Sequence, residues 1–571
     1  MALGQGMTSP EKTTAVVRGL ALAADTVSAP FLLGLSGAVF AWGYDGLAFG
    51  LGLGAGLLLL QLLVAPQLPR MGVASVPEFF AERYGGGAPR TIAAVAVALS
   101  MAVLVVAQLM VAGLVTARLL GLEIGAAVAI AGVALFFCFL VRSLFASAWV
   151  RVVVFVLMLL ALLAPAVQLS AEWYGLPVPQ IAYANALWPI QSLEETLLEQ
   201  DLADPVVMKP MLTAFVSLDP LNFLGIVLGL ALGLASLPSL LSRHFMVPGV
   251  PAARRSAVWG LLFATLLLSL APALAAYAKL SVLKLVAAPT DLAQLPAWIF
   301  AYGRLGLVEV CGAAAVDAAA VAKACAALPD ASAVLRLQDL TLSPDVVTLA
   351  TPEITGLGTA MFGLIAAAIL AAALLTADGP LTAIVGAFGC EVRAASGRSL
   401  LPSCAVAAAT LIVTGLFAST HPAGVLDVAT WAFTIAASGL FPALIIGFWW
   451  RRASAPAAVV AMIVGLAVCL HYLVATRYLS VGFFETWQSL SSAGPTATEI
   501  FGELKDAWVT ATRGPARDAA WAALDAHAQG IANWWGITNL ATIVLALPAG
   551  IVAMILVSLA VPQQRPPETA S

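Results

Sequence analysis

Uncharged apolar runs of about twenty residues, the length that crosses the hydrocarbon layer of a bilayer as an α-helix, recur from one end of this chain to the other. Lipid offers no hydrogen-bond partners, so each run must satisfy its own backbone, which a helix does. Composition agrees: 62% of the 571 residues are hydrophobic and 10% charged, against roughly a quarter charged in a soluble domain. The chain reads as an all-α polytopic membrane protein of about 12 transmembrane helices.

The runs fall at 17–40, 47–65, 92–117, 124–141 and 149–170, then at 221–241, 258–277, 357–388, 405–417 and 428–450, and finally at 457–474 and 537–561. This divides the chain into a terminus (1–16), a five-helix group (17–170), a loop (171–220), a second five-helix group (221–450) with its own loop (278–356), two further helices (451–561) around a third loop (475–536), and a tail (562–571). The terminus is polar and has no small-residue cleavage site, so the first run is retained as a span. Arg70, Arg83, Arg90, Arg142, Arg151, Arg243, Arg254, Arg255, Arg393, Arg398, Arg451 and Arg452 fall at one side of the spans, whereas the three long loops are acidic on balance. By the positive-inside rule both termini are cytoplasmic and the long loops external, in a bacterial-type inner membrane. Trp449-Trp450-Arg451-Arg452, Trp534 and Trp535 read as interface anchors.

Net charge is −4 with no dense basic cluster, which argues against nucleic-acid partners. Six cysteines without a CxxC and four scattered histidines give no metal-ligand pattern. The run Gly50, Gly52, Gly54, Gly56 lies in an apolar span without the Lys-Ser/Thr of a phosphate loop, so close helix packing is its expected role. The stretch 308–328 contains Glu309, Asp317 and Lys323 and reads as an external helix. Cys311 and Cys325 lie in the same loop, and two alternatives stand there: a disulfide on the oxidising side, or two buried thiols.

Ionisable groups inside spans are functional candidates because hydrocarbon makes them costly. Two acids qualify, Asp25 in Ala23-Ala24-Asp25-Thr26-Val27-Ser28-Ala29-Pro30 and Asp378 in Leu374-Leu375-Thr376-Ala377-Asp378-Gly379-Pro380. Pro30, Gly34 and Gly37 in the first span, and Gly233 and Pro238 in the sixth, are the interruptions expected of discontinuous helices, whose freed carbonyls hold cations and whose freed N–H groups face anions. These two spans head the two groups of five, as an inverted repeat requires.

The stretch from Gly19 to Gly37, followed by Gly43-Tyr-Asp-Gly46, resembles the first core helix of the sodium:solute symporter family, closest to its acetate and monocarboxylate permease branch. Val76-Pro-Glu-Phe-Phe-Ala-Glu-Arg-Tyr84, Ala107-Gln-Leu-Met-Val-Ala-Gly113, the stretch Gly233 to Phe245 and Phe433-Thr-Ile-Ala-Ala-Ser-Gly-Leu-Phe-Pro442 resemble the same family in order. The resemblance implies a leucine-transporter-like fold of two inverted five-helix repeats, alternating access, and a sodium site between the first and eighth core helices. Carried over by position, that site uses backbone oxygens near Ala24, Val27 and Ala372 and the Thr376 hydroxyl, with Asp25 and Ser28 at hand.

Where relatives with an additional sodium site place a fifth-helix Asp, this chain has Arg151, and Asp378 takes a hydroxyl position on the eighth helix. Two alternatives follow: an Arg151–Asp378 ion pair that replaces a bound cation, or Arg151 reaching to the cytoplasmic surface while Asp378 lines water. The coupling ion is Na⁺ by resemblance, with H⁺ on Asp25 as the alternative. The central cavity is expected among the first, third, sixth and tenth spans, with Ser28, Gln108, Ser236, Trp431 and Thr434 toward substrate. No basic residue sits mid-helix there, which suits a small monocarboxylate such as acetate held by N–H groups and hydroxyls. Competing readings are a symporter for an amino acid or urea-like solute, and a solute sensor, which would call for an output domain beyond residue 561. A membrane enzyme finds no nucleophile and base arrangement here.

Overall fold

The computed structural model describes residues 14–68, 73, 75–141, 148–205, 207–245, 249–288, 290–328, 334–390 and 400–561. Arg70, Arg142, Arg393 and Arg398 of the orienting set, most of the terminus 1–16 and the tail 562–571 lie outside these residues.

The first span is two helices, α1 (Ala15–Thr26) and α2 (Ala29–Trp42). A turn at Gly43–Gly46 reverses the chain into α3 (Leu47–Leu59). There Gly43 takes a φ of +58°, and a Cβ at Gly46 would lie 2.4 Å from the Ala38 carbonyl oxygen. Buried Asp45 pins this turn, its carboxylate accepting the N–H groups of Phe215 (2.7 Å), Ser217 (2.7 Å) and Leu218 (2.9 Å). Then follow α4 (Val76–Tyr84), α5 (Gly87–Leu120), α6 (Ile124–Leu140) and α7 (Ala148–Tyr174), with α8 (Pro179–Glu199) in the first long loop.

The second group opens on another divided span, α9 (Pro220–Ala235) and α10 (Pro238–Phe245), and continues through α11 (Val250–Ala287). The loop beyond holds α12 (Ala297–Gly303), α13 (Ala318–Ala326) and α14 (Pro344–Ile354), after which α15 (Thr359–Thr376) and α16 (Asp378–Ala387) together form the eighth span. The remainder is α17 (Leu401–Ser419), α18 (Val425–Trp449), α19 (Ala455–Tyr478), three loop helices α20 (Ser480–Trp487), α21 (Pro495–Thr510) and α22 (Pro515–Ile531), and α23 (Ile543–Ala560). Ten helical stretches among the described residues are long and apolar enough to cross a membrane. One of them, Ala29–Val64, is divided by the Gly43–Gly46 turn, and the shorter apolar helix Ile124–Leu140 joins the set, which brings the spans to twelve.

Four expectations need correction. Gly34, Gly37 and Gly233 do not interrupt helices; they let helices touch. A Cβ on Gly37 would fall 1.8 Å from the Pro344 carbonyl oxygen of α14, one on Gly233 2.4 Å from the Phe433 carbonyl of α18, and one on Gly34 2.9 Å from the Leu426 Cβ. In the glycine run, Gly52 and Gly56 do pack on α9, where a Cβ would fall 2.8 Å from the Leu230 Cβ and 2.7 Å from the Leu234 Cβ respectively, but a Cβ on Gly54 would meet nothing within 4 Å. The stretch 308–328 is helical only over Ala318–Ala326, because β1 (Val308–Val310) pairs with β2 (Ala313–Ala314) and with β3 (Leu340–Leu342) in a small antiparallel sheet. Finally, the seventh span does not end at 277; α11 runs on to Ala287, past Lys279. That buried lysine stays helical because its Nζ meets the Glu194 carboxylate at 3.1 Å and donates to the Lys209 carbonyl at 2.6 Å, a paired charge being the form in which burial is tolerated.

α14 lies across α2, with the Thr348 hydroxyl donating to the Leu33 carbonyl at 2.6 Å. A second small core, around Tyr472, Phe483, Phe484, Phe501 and Leu524, holds the last long loop against α19.

Candidate functional site

The break in the first span follows from its residues. The last backbone bond of α1 runs from the Val27 N–H to the Ala23 carbonyl at 2.9 Å, while Phe31 and Leu32 restart the ladder by donating to the Ser28 carbonyl. Pro30 in the first turn of α2 has no N–H to continue α1. A helix leaves its last four carbonyls without intrahelical donors, here those of Ala24, Asp25, Thr26 and Val27. The sixth span repeats the pattern: Ser236 ends α9, Leu240 and Leu241 donate back to the Leu237 carbonyl, and Pro238 starts α10. In the eighth span Pro380 cannot donate to the Thr376 carbonyl, and the helix turns at Ala377.

These three irregularities meet. A small cavity, with about 10 Å³ for the centre of a water molecule, is lined by Asp25, Ser28, Leu104, Gln108, Leu237, Ser239, Leu240, Thr376, Gly379, Pro380 and Phe433. That is room for about one water. The Phe433 ring stands edge-on against Phe31, with centroids 5.3 Å apart. The starts of α2 and α10 both border the cavity, through Ser28 and through Leu237 and Ser239, so two helix N-termini bring partial positive charge to it.

The charged group lies beside the cavity. The Arg151 Nε of α7 is 3.5 Å from the Asp25 Oδ1, and its Nη2 is 4.0 Å from the Asp378 Oδ2. The side chains are 14%, 6% and 25% exposed, so Arg151 sits between the two acids in a poorly solvated place rather than at the surface. The contact between Arg151 and Asp25 was not foreseen from the sequence.

Of the residues expected at the cation site, Asp25, Ser28 and Thr376 line the cavity, while Asp378 enters through its pair with Arg151. Ala372 contributes its carbonyl as the acceptor of the Thr376 hydroxyl at 2.8 Å. Of those expected to face substrate, Ser28 and Gln108 line the cavity, and Ser236, Trp431 and Thr434 do not. Ser236 donates to the Leu232 carbonyl (2.8 Å) at its own helix end, and Thr434 donates to Thr430 (2.9 Å) against Gly229. Trp431 is buried, and its Nε1 has no hydrogen-bond partner among the described residues. Gln108, expected near substrate, donates from Nε2 to the Thr376 hydroxyl at 3.0 Å. Ser239, Gly379 and Pro380 were missed, although Pro238 and the Asp-Gly-Pro run marked the helix ends that carry them. Far from this site, the Cys311 and Cys325 sulfurs are bonded at 2.01 Å.

Discontinuous spans that meet at a polar cavity inside a twelve-span bundle define a membrane transporter. The comparisons with known proteins narrow this: the chain belongs to the sodium:solute symporter family, whose model matches residues 7–295. It is 27% identical to an uncharacterised symporter of Cupriavidus necator, over 99% of this chain and 89% of that protein. The solved structure of a Na⁺-coupled sialic acid symporter, in a substrate-bound outward-open state, shares the fold with a TM-score of 0.53 at 14% identity, covering 97% of this chain and 92% of that one. The fold is leucine-transporter-like, two five-helix repeats followed by two additional spans.

Proposed function

We propose that this protein couples the inward movement of Na⁺ to uptake of a small organic anion, a short monocarboxylate such as acetate, by alternating access around the cavity at the three helix irregularities. The observation that carries this reading is the meeting there of opposite helix ends: open carbonyls and the Asp25 carboxylate for a cation, and the N-termini of α2 and α10 for an anion. A cation bound beside Asp25 would offset the cost of holding a carboxylate in that poorly solvated place. Arg151 itself serves as a tethered cation between α7 and α16, so one mobile ion per cycle suffices on this side of the site.

The inner-membrane orientation with cytoplasmic termini is part of the same proposal. Arg83 donates to the Gly447 and Trp450 carbonyls at the end of α18, where Arg451 and Arg452 follow; this basic end is the cytoplasmic one by the positive-inside rule.

A competition series in right-side-out vesicles tests the substrate. Formate, acetate, propionate and pyruvate are expected to inhibit labelled acetate uptake in a graded way, while sialic acid, alanine and urea leave it unchanged. Uptake blocked by alanine or urea and not by carboxylates would replace the anion reading with the other-solute reading.

A further inference from the structure

We infer that Gln108 is a ligand of the coupling cation rather than a substrate-reading residue. The inference rests on the proposed cation coupling and assigns α5 a part in it.

The orientation of the Gln108 amide is settled by counting protons. The Thr376 hydroxyl has one hydrogen and donates it to the Ala372 carbonyl at 2.8 Å, so toward Gln108 it can only accept. The group 3.0 Å from it is therefore the amide NH₂, and the Oε1 is left facing elsewhere. Gln108 is 1% exposed, and its Oε1 has no hydrogen-bond partner among the described residues. A buried acceptor left without a donor is a standing cost to the fold.

What fills that gap is decided by the surroundings. Gln108 lines the same cavity as Asp25, Ser28 and Thr376. The main-chain oxygens of Ala24, Thr26 and Val27, and that of Thr376 opposite Pro380, are without intrahelical donors by helix geometry. Another oxygen acceptor, and above all a carboxylate, would meet the Gln108 oxygen with like polarity. A hard cation takes oxygen ligands, and one bound in this cavity would give the Gln108 oxygen the partner it lacks. Thr376 and Gln108 then act as a unit: the hydroxyl holds the amide, and the amide turns its oxygen toward the ion. This supplies from the third span an oxygen that the Leu375-Thr376 pair of the eighth span does not provide.

The experiment is a Na⁺ titration of the purified full-length protein in nanodiscs without organic substrate, read by intrinsic tryptophan fluorescence and by ²²Na binding, for the wild type, Gln108→Leu and Gln108→Glu. Gln108→Leu should raise the half-saturating Na⁺ concentration by about tenfold or more, the loss expected when a ligand to a charged group is removed. Gln108→Glu, which keeps an oxygen there, should restore Na⁺ binding. Gln108→Asn, which shortens the reach of the oxygen, stands in should the leucine variant fail to give a monodisperse protein. An unchanged Na⁺ titration in the variants, as when a single water fills the gap, would overturn the assignment. A wild type that gives no Na⁺ titration would instead sink the sodium reading itself, and this assignment with it.

Discussion

Arg151 lies between two carboxylates, at 3.5 Å from Asp25 and 4.0 Å from Asp378, and its removal leaves both of them in a poorly solvated place. Breaking a buried pair from one side costs about 3–5 kcal/mol, much of it the stranded partner. Arg151→Met is therefore expected to lower unfolding stability in detergent by about that amount, and Arg151→Met with Asp378→Asn by less than the sum of the singles. A coupling of zero between them would remove the pair. Asp345 gives a second residue-scale prediction. Burial pushes its carboxyl up to about 6, against the pull of the Val425 N–H it accepts. Asp427 of α18 and Arg477 of α19 act in the same neighbourhood. A raised carboxyl holds its proton longer in the folded state, so its contribution is present in acid and is lost as pH rises from about 4 toward 6. Hydrogen-exchange protection in Pro344–Ile354, taken relative to the intrinsic exchange rate at each pH, should rise from pH 7 to pH 5, and Asp345→Asn should flatten that change. At this scale the sequence was legible where a charge stood in an apolar run, as Asp25 and Asp378 did, while Arg151 was picked out by its place in the family resemblance. It was silent on which acid Arg151 reaches, because one side chain on α7 can meet α1 and α16 alike, and only packing decides.

Among helices, the breaks and the contacts are set by different residues. Proline fixed where α2 and α10 begin, and this could be read in advance from Pro30 and Pro238. Glycine could not be read so directly, since the same residue serves as a hinge or as a contact, and Gly34, Gly37 and Gly233 proved to be contacts. Gly37→Ala drives a methyl into the Pro344 carbonyl and is expected to cost about 1–3 kcal/mol or to shift α14 off α2. Gly54→Ala, with open space around it, should be neutral or slightly stabilising, as alanine is the better helix former. Thermal unfolding of the two purified variants separates them, and equal effects would contradict the packing. The elements of the long loops were the least legible. A hairpin of one three-residue and one two-residue strand has too few positions to show a period, and α8, α21 and α22 carry enough charge to read as loop.

For the whole molecule, the number of spans followed from hydropathy, because lipid imposes length and self-satisfied backbone on every crossing, while the two-repeat fold came from the family resemblance. The orientation rests on where arginine and cysteine fall. If the loop bearing Cys311 and Cys325 faces the oxidising side, mass-spectrometric mapping of protein taken from its membrane should recover the linked pair; two alkylatable thiols would reverse the topology. The substrate was not legible, since a cavity with room for about one water and no basic side chain describes a class of ligand, not a member. The claim on which the rest depends is that a cation and an organic anion move together through the cavity beside Asp25. It is tested most directly by uptake of labelled acetate into proteoliposomes with an inward Na⁺ gradient, at equal pH on both sides. The account predicts transient accumulation above the equilibrium level, lost when choline replaces Na⁺ and lost in Asp25→Asn. Accumulation that ignores the Na⁺ gradient and follows an imposed pH gradient would contradict it.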